Sequence, residues 1–204
     1  PLTSIRANIE ILQRAGEPDE AERERIFVDV NTEIRELSEL VRELVELAGD
    51  AGAGDEPASL LDLAELADDA ADRARRRTGR EVTTEMVGDC TIRGRPGALE
   101  RAIDNLVGNA AKFSPADTPI RIRSEGGRLE VHDSGPGISP ADRPLVFERF
   151  YRTEDARSAP GSGLGLAIVK QIIERHAGRV FADSSPAGGA AVGFELPAAG
   201  AEDC

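Results

Sequence analysis

Apolar residues in the first 48 positions recur at helical intervals. Leu2, Ile5, Ile9 and Leu12 follow one another at steps of 3, 4 and 3, up to a break at Gly16-Glu17-Pro18-Asp19. A second run, Phe27, Val30, Ile34, Leu37, Val41, Leu44 and Ala48, alternates steps of 3 and 4. Three heptads with apolar a and d positions form a coiled-coil seam. Residues 1–48 are therefore expected to form a helical hairpin. Ile26, Leu40 and Leu47 widen its stripe beyond what two helices enclose. A four-helix bundle built by two chains is the natural solution, so the hairpin is expected to make a homodimer. The other way to cover the stripe is to pack it on the chain's own globular domain.

Residues 49–57, Gly-Asp-Ala-Gly-Ala-Gly-Asp-Glu-Pro, are turn formers and polar groups and read as a linker. From 58 to 198 the pattern is mixed. Helices are expected over Leu60–Thr78 (closed by Gly79), Pro96–Phe113 and Leu164–His176, the last ended by a left-handed cap at Gly178. Strands are expected over Glu81–Val87, Thr91–Arg93, Ile120–Ser124, Leu129–Asp133, Arg179–Asp183 and Ala190–Leu196. Helices and largely antiparallel strands segregate, which points to an α+β sandwich with helices on one face of a mixed sheet. Residues 199–204 are a tail.

Composition narrows the function. The 204 residues carry a net charge of −13, which disfavours nucleic acid as a partner. No apolar run is long enough to span a membrane, and two cysteines make no disulfide framework, so a cytoplasmic setting is expected. The first 50 residues hold 6 arginines against 13 acidic groups; this is either a solvated helix face or a surface for a basic partner. The helical pattern is already running beside Pro1, so the chain reads as a piece of something longer.

Four segments carry candidate chemistry. In the helix ending at Phe113, Asn105, Asn109 and Lys112 share one face, nearly opposite Leu99, Ile103, Leu106 and Ala110. Asparagine is a mediocre helix former, so two of them one turn apart need a reason beyond solvation. Amide oxygens suit a hard cation such as Mg²⁺, and lysine supplies a point charge for phosphate. Asp133-Ser-Gly135-Pro-Gly137-Ile follows a strand; it is either turn chemistry or a carboxylate fixed to accept a hydrogen bond from an exocyclic amine such as adenine N6. Gly161-Ser-Gly163-Leu164-Gly165-Leu opens a helix, whose free N–H groups suit phosphates. It matches neither the Rossmann nor the Walker pattern. Between these lies Phe147-Glu-Arg149-Phe150-Tyr151-Arg152, followed by a polar stretch that includes Arg157, and read either as a lid over a phosphate-bearing ligand or as a loop with surface arginines.

In their order and spacing these segments resemble the catalytic ATP-binding domain of sensor histidine kinases. Asn105-Leu-Val-Gly-Asn109-Ala-Ala-Lys112-Phe113-Ser is similar to the N box. The two glycine segments resemble the glycine boxes, and Phe147 to Arg152 resembles the F box. The resemblance implies a Bergerat-type fold that binds ATP and Mg²⁺. It implies that Asn109 coordinates the metal with Asn105 in support, that Lys112 contacts phosphate and that Phe113 lines the pocket. Asp133 would read adenine, and Gly135 and Gly137 would shape the base pocket. Gly161, Gly163, Leu164 and Gly165 would lie at the phosphates, and Arg149 or Arg152 would meet the γ-phosphate.

Pro1-Leu-Thr-Ser-Ile-Arg-Ala-Asn-Ile-Glu resembles the tail of that family's H box, which would place the phosphoacceptor histidine upstream of Pro1. His132, within a strand, and His176, in a last helical turn, read as structural. The expected function is transfer of the γ-phosphoryl of ATP to a histidine for relay to an aspartate of a response-regulator receiver domain. This chain alone would not autophosphorylate, and any membrane anchor would lie in upstream segments. Two alternatives use the same nucleotide fold: an anti-sigma-type serine kinase and a nucleotide-gated interaction module.

Overall fold

The computed structural model describes residues 2–13, 19–49, 56–154, 156 and 161–198. The expected turn at Gly16-Glu17-Pro18, most of the linker, Arg157 in the lid stretch and the tail 199–204 lie outside the described residues. Helix α1 (Leu2–Gln13) packs against α2 (Glu20–Gly49). Asp19 starts α2, its Oδ1 accepting the Glu22 N–H at 2.8 Å. This satisfies one of the donors that the first helical turn leaves unpaired. Ile26 is buried, but Phe27, Ile34 and Val41, spaced by heptads, are 48%, 47% and 52% exposed. These three positions of the predicted seam are therefore exposed in the single chain.

The rest is an α/β sandwich. Strand β1 (Ser59–Asp62) pairs antiparallel with β3 (Thr91–Gly94). The sequence pattern placed residues 60–62 in the following helix, because Leu60, Leu63 and Leu66 keep a helical spacing across Asp62. Asp62 ends the strand instead, its Oδ1 accepting the Ala64 N–H at 2.9 Å, and α3 spans Leu63–Thr78. Five alanines on the buried face of α3 let it approach its neighbours closely, and Gly79, at φ 68°, caps its end. Helix α4 (Pro96–Phe113) buries Leu99, Ile103, Leu106 and Ala110, the expected stripe.

Strands β2 (Val82–Val87), β4 (Ile120–Glu125), β5 (Arg128–His132), β6 (Arg179–Ser184) and β7 (Ala190–Glu195) form one sheet in the order β2-β4-β5-β7-β6. Only β2 and β4 run parallel. Ile120, Ile122, Leu129, Val131 and Phe194 join α3, α4 and α5 (Gly165–Arg175) in one core. Period-2 alternation sends Arg123, Arg128 and Glu130 to the opposite face, where they form ion pairs.

The end of α5 differs from expectation. The left-handed residue is Ala177, at φ 55°, not Gly178. Gly178 is required for a different reason: a Cβ there would stand 2.5 Å from the Glu195 carbonyl oxygen. His176 then braces the start of α4. Its Nε2 accepts the Arg95 N–H at 3.1 Å, and Nδ1 lies 2.7 Å from the Ile172 carbonyl, which sets the tautomer with the proton on Nδ1. Glu56, near the end of the linker, accepts the Gly97 N–H at 3.1 Å. Because Arg95 makes no side-chain cap of its own, the helix carrying the two asparagines is capped by groups from elsewhere in the chain.

Candidate functional site

The exposed face of α4 forms one wall of a cavity of about 580 Å³. Asn105 donates its Nδ2 to the Arg101 carbonyl at 2.9 Å. Its Oδ1 is left facing Gly165, 3.1 Å from the point where a Cβ on that glycine would lie. Asn109 approaches the same spot with its Nδ2, at 3.9 Å. Lys112 places its Nζ 4.7 Å from the centroid of the Phe113 ring, a cation–π contact.

Asp133, directly after β5, is held from two sides. Its Oδ1 accepts the Gly135 N–H at 2.8 Å and the Ala190 N–H at 3.0 Å. The backbone of Asp133 also donates to the Ala190 carbonyl, which ties the loop to β7. The carboxylate is 7% exposed and lines the cavity, so one oxygen is committed to backbone donors while the group faces the ligand space. Charge-assisted bonds of this kind fix a group far better than a free turn does. Ser114, at the end of α4, joins in through its Oγ, which accepts the Ser134 N–H at 3.2 Å. Arg80 in turn donates to the Ser114 carbonyl at 2.9 Å.

The third wall is the start of α5. Gly163, at φ 78°, sits so near the Phe150–Tyr151 backbone that a Cβ would approach it to 2.9 Å. Leu164 precedes the helix without a side-chain cap bond, so the first N–H groups of α5 have no cap side chain. Phe150 adopts φ 64°, a costly conformation for a bulky residue, and bonds its N–H to the Gly163 carbonyl at 3.1 Å. That turn sends the two arginines of the segment to different places. Arg149 reaches Gln171 on α5 at 3.2 Å, whereas Arg152 lines the cavity and donates to the carbonyls of Gly161, at 2.9 Å, and Ala156. Tyr151 bonds Asp142 at 2.6 Å, and this hydrogen bond, with a second from Ser139, holds the Asp142 carboxyl below its ordinary value. Glu148 pairs with Lys170 at 2.8 Å and raises the lysine above its ordinary range.

The cavity thus gathers Asn105, Asn109, Lys112, Phe113, Asp133, Gly137, Arg152, Gly161, Gly163 and Gly165 from four separate segments. Three expected residues lie outside its wall. Arg149 is held on α5, Leu164 is fully buried in the core, and Gly135 packs beneath Asp133, against the Phe113 carbonyl.

Residues 94–200 match the family described as histidine kinase-, DNA gyrase B-, and HSP90-like ATPase. The chain belongs to this ATPase family. Among curated relatives, the signal transduction histidine-protein kinase/phosphatase MprB of Mycobacterium ulcerans is 44% identical over 202 residues, covering 93% of this chain and 39% of the relative. This chain spans about two fifths of the length of such relatives. A solved structure of a mycobacterial sensor histidine kinase MprB is 38% identical with a TM-score of 0.62, covering 69% of this chain and 99% of that one. Full-length ShkA in complex with AMPPNP is 26% identical with a TM-score of 0.68, over 98% of this chain and 43% of that one. The resemblance read from the four boxes holds: this is a catalytic ATP-binding region of sensor histidine kinase type.

Two parts of the ATPase site were not foreseen from the sequence. Gly189 lies against Asp133 so closely that a Cβ would meet the carboxylate Oδ1 at 2.3 Å and the Gly135 nitrogen at 2.6 Å. The signal was a Gly-Gly pair before β7, but its partner is more than fifty positions away. Arg77 and Thr78, at the end of α3, complete the wall beside Asn105 and Gly108.

Proposed function

We propose that the chain binds Mg·ATP and serves as the phosphoryl-donating part of a sensor histidine kinase. The observation that carries this reading is the buried Asp133 carboxylate, pinned through Oδ1 by two backbone donors at the cavity edge. A carboxylate so placed accepts the N6 amine of adenine and repels the carbonyl that guanine carries at that position. The α5 N-terminus at Gly165, with Lys112 and Arg152, receives the phosphates. Asn109 would hold the metal through its amide oxygen, with Asn105 in support; both side chains line the cavity, and amide oxygens suit a hard cation. Among the described residues no three His, Cys, Asp or Glu side chains converge as a metal cage. A metal held there by the asparagine amides would supply charge neutralisation for the transferring group.

Catalysis would rest on positioning and charge neutralisation. The acceptor is a histidine outside these 204 residues. His132 is part of β5 and only 14% of its side chain is exposed, while both ring nitrogens of His176 face backbone groups. The heptad-spaced exposed residues of α2 support a homodimer through residues 1–48. In this reading the parent protein works at the cytoplasmic side of a membrane and passes phosphate to a response-regulator receiver domain. No described helix is itself long and apolar enough to cross a membrane.

Calorimetric titration with a non-hydrolysable ATP analogue and Mg²⁺ tests the site. The analogue is expected to bind and GTP is not. Asp133→Asn, which turns an acceptor into a donor, is expected to weaken the analogue by about tenfold or more while the fold survives. Equal binding of ATP and GTP, or no binding to a folded sample, overturns the reading. With labelled ATP, no phosphate is expected on His132 or His176.

A further inference from the structure

We propose that Arg77 is a phosphate-binding residue of this cavity, acting from the α3 wall; the inference rests on the ATP reading above and names a contact that the four boxes do not include. The last turns of α3 carry four arginines: Arg73, Arg75, Arg76 and Arg77. Arg73 is paired with Asp104 at 3.1 Å. Arg75 donates its Nε to the Val82 carbonyl at 2.8 Å and pairs with Asp72. Arg77 makes no hydrogen bond or ion pair among the described residues, and it alone of the four lines the cavity.

Its position is specific. Nη2 stands 3.7 Å from the point where a Cβ on Gly108 would lie, so the guanidinium rests on the face of α4 that also carries Asn105 and Lys112. Gly108 is three residues beyond Asn105 and four before Lys112, which makes all three neighbours on the helix surface. Asp104 on the same wall is neutralised by Arg73, so Arg77 leaves that wall net positive in a chain of net charge −13. A guanidinium without a protein partner, with its donors in a planar fork, suits phosphate oxygens. Recognition of the base falls to the buried Asp133, so the ligand group that Arg77 takes is the polyphosphate tail.

The test compares Arg77→Gln with Arg76→Gln, a neighbouring arginine that is exposed but off the cavity wall. Affinities of the chain and both variants for Mg·ATP, Mg·ADP and adenosine are measured, and melting temperatures check that each variant is folded. Arg77→Gln is expected to weaken ATP by about three- to tenfold, the range for one partly solvated charge-assisted contact. Adenosine should bind unchanged, and Arg76→Gln should bind ATP like the parent. Three results overturn the proposal while leaving the ATP site standing: ATP affinity unaltered in Arg77→Gln, an equal loss in Arg76→Gln, or an equal loss for adenosine. If the parent chain itself binds no ATP, the site reading fails and this inference fails with it.

Discussion

The two ends of the cavity are built in opposite ways. At the Asp133 end the functional group is short, buried and held by backbone donors from two segments, with Ser114 binding the adjoining loop to α4. At the Gly161–Gly165 end the polar groups are long side chains, Lys112 and Arg152, resting on a ring face and on backbone carbonyls. The difference fits the two tasks that the proposed function sets. Telling one base from another needs an acceptor that cannot reorient, because a mobile carboxylate would adapt to either base. Holding a charged tail needs many donors whose exact positions matter less, and whose resting contacts are cheap to exchange for phosphate oxygens. The α5 N-terminus is the fixed element at that end, and the side chains adjust around it.

If this contrast is right, the largest effect comes from disturbing the rigid end. Gly189→Ala would place a methyl 2.3 Å from Asp133 Oδ1, and the atoms it meets are a pinned carboxylate and backbone, not the end of a flexible chain. Overpacking of this sort costs about 1–3 kcal/mol of stability. Adenine-nucleotide binding should be lost altogether, because the only escape is to displace Asp133. Thermal melting and titration of the same sample measure both effects. A variant that binds ATP as the parent does would show that Asp133 does not need its present position.

The same contrast explains what could be read from the sequence. The α4 face was legible, because Asn105, Asn109 and Lys112 are related by helical period alone. So were the glycines before α5 and the strand-end position of Asp133, although the Ala190 N–H that pins its carboxylate comes from another strand. Gly189 was not legible, because its role is a contact with a residue more than fifty positions away. Gly178 was read as a left-handed cap for the same reason: its glycine answers to the Glu195 carbonyl on another strand, while Ala177 takes the strained conformation. Arg149 and Arg152 could not be ranked by spacing, since their divergence depends on the positive φ of Phe150 between them. Strand β1 was hidden by leucines whose helical spacing continues across Asp62 into α3.

At the adjustable end a smaller and purely functional loss is expected. Arg152→Ala removes the donors to Gly161 and Ala156 and a positive charge from the cavity wall. ATP affinity should fall by about three- to tenfold with adenosine unaffected, as for a single partly exposed charge contact. The melting temperature should hardly move, because no buried group loses its partner. Arg149→Ala, which removes a contact to Gln171 instead, should leave ATP affinity where it is. Equal losses from both substitutions would mean that the two arginines exchange places, and the adjustable end would be looser than its resting contacts suggest.

The smallest effect sharpens the contrast by pH, and it belongs to the rigid end alone. His132 precedes Asp133, and its Nδ1 is buried without a hydrogen-bond partner. Burial lowers its pKa; Arg121 and Arg123 push the same way, and Glu130 and Asp133 oppose them. The unfolded chain therefore takes up a proton at this ring more readily than the folded one. A lowered folded pKa means that the stabilising preference for the neutral ring is fully present above the ordinary histidine value, about 6.5, and is lost as pH falls below it. His132→Leu removes both the titration and the unpaired nitrogen. Relative to the parent, the variant should gain about 1–2 °C more in melting temperature at pH 5.5 than at pH 8, about half a kcal/mol in a chain of this size. An identical difference at both pH values would mean that the ring takes up its proton in the folded chain as readily as in the unfolded one.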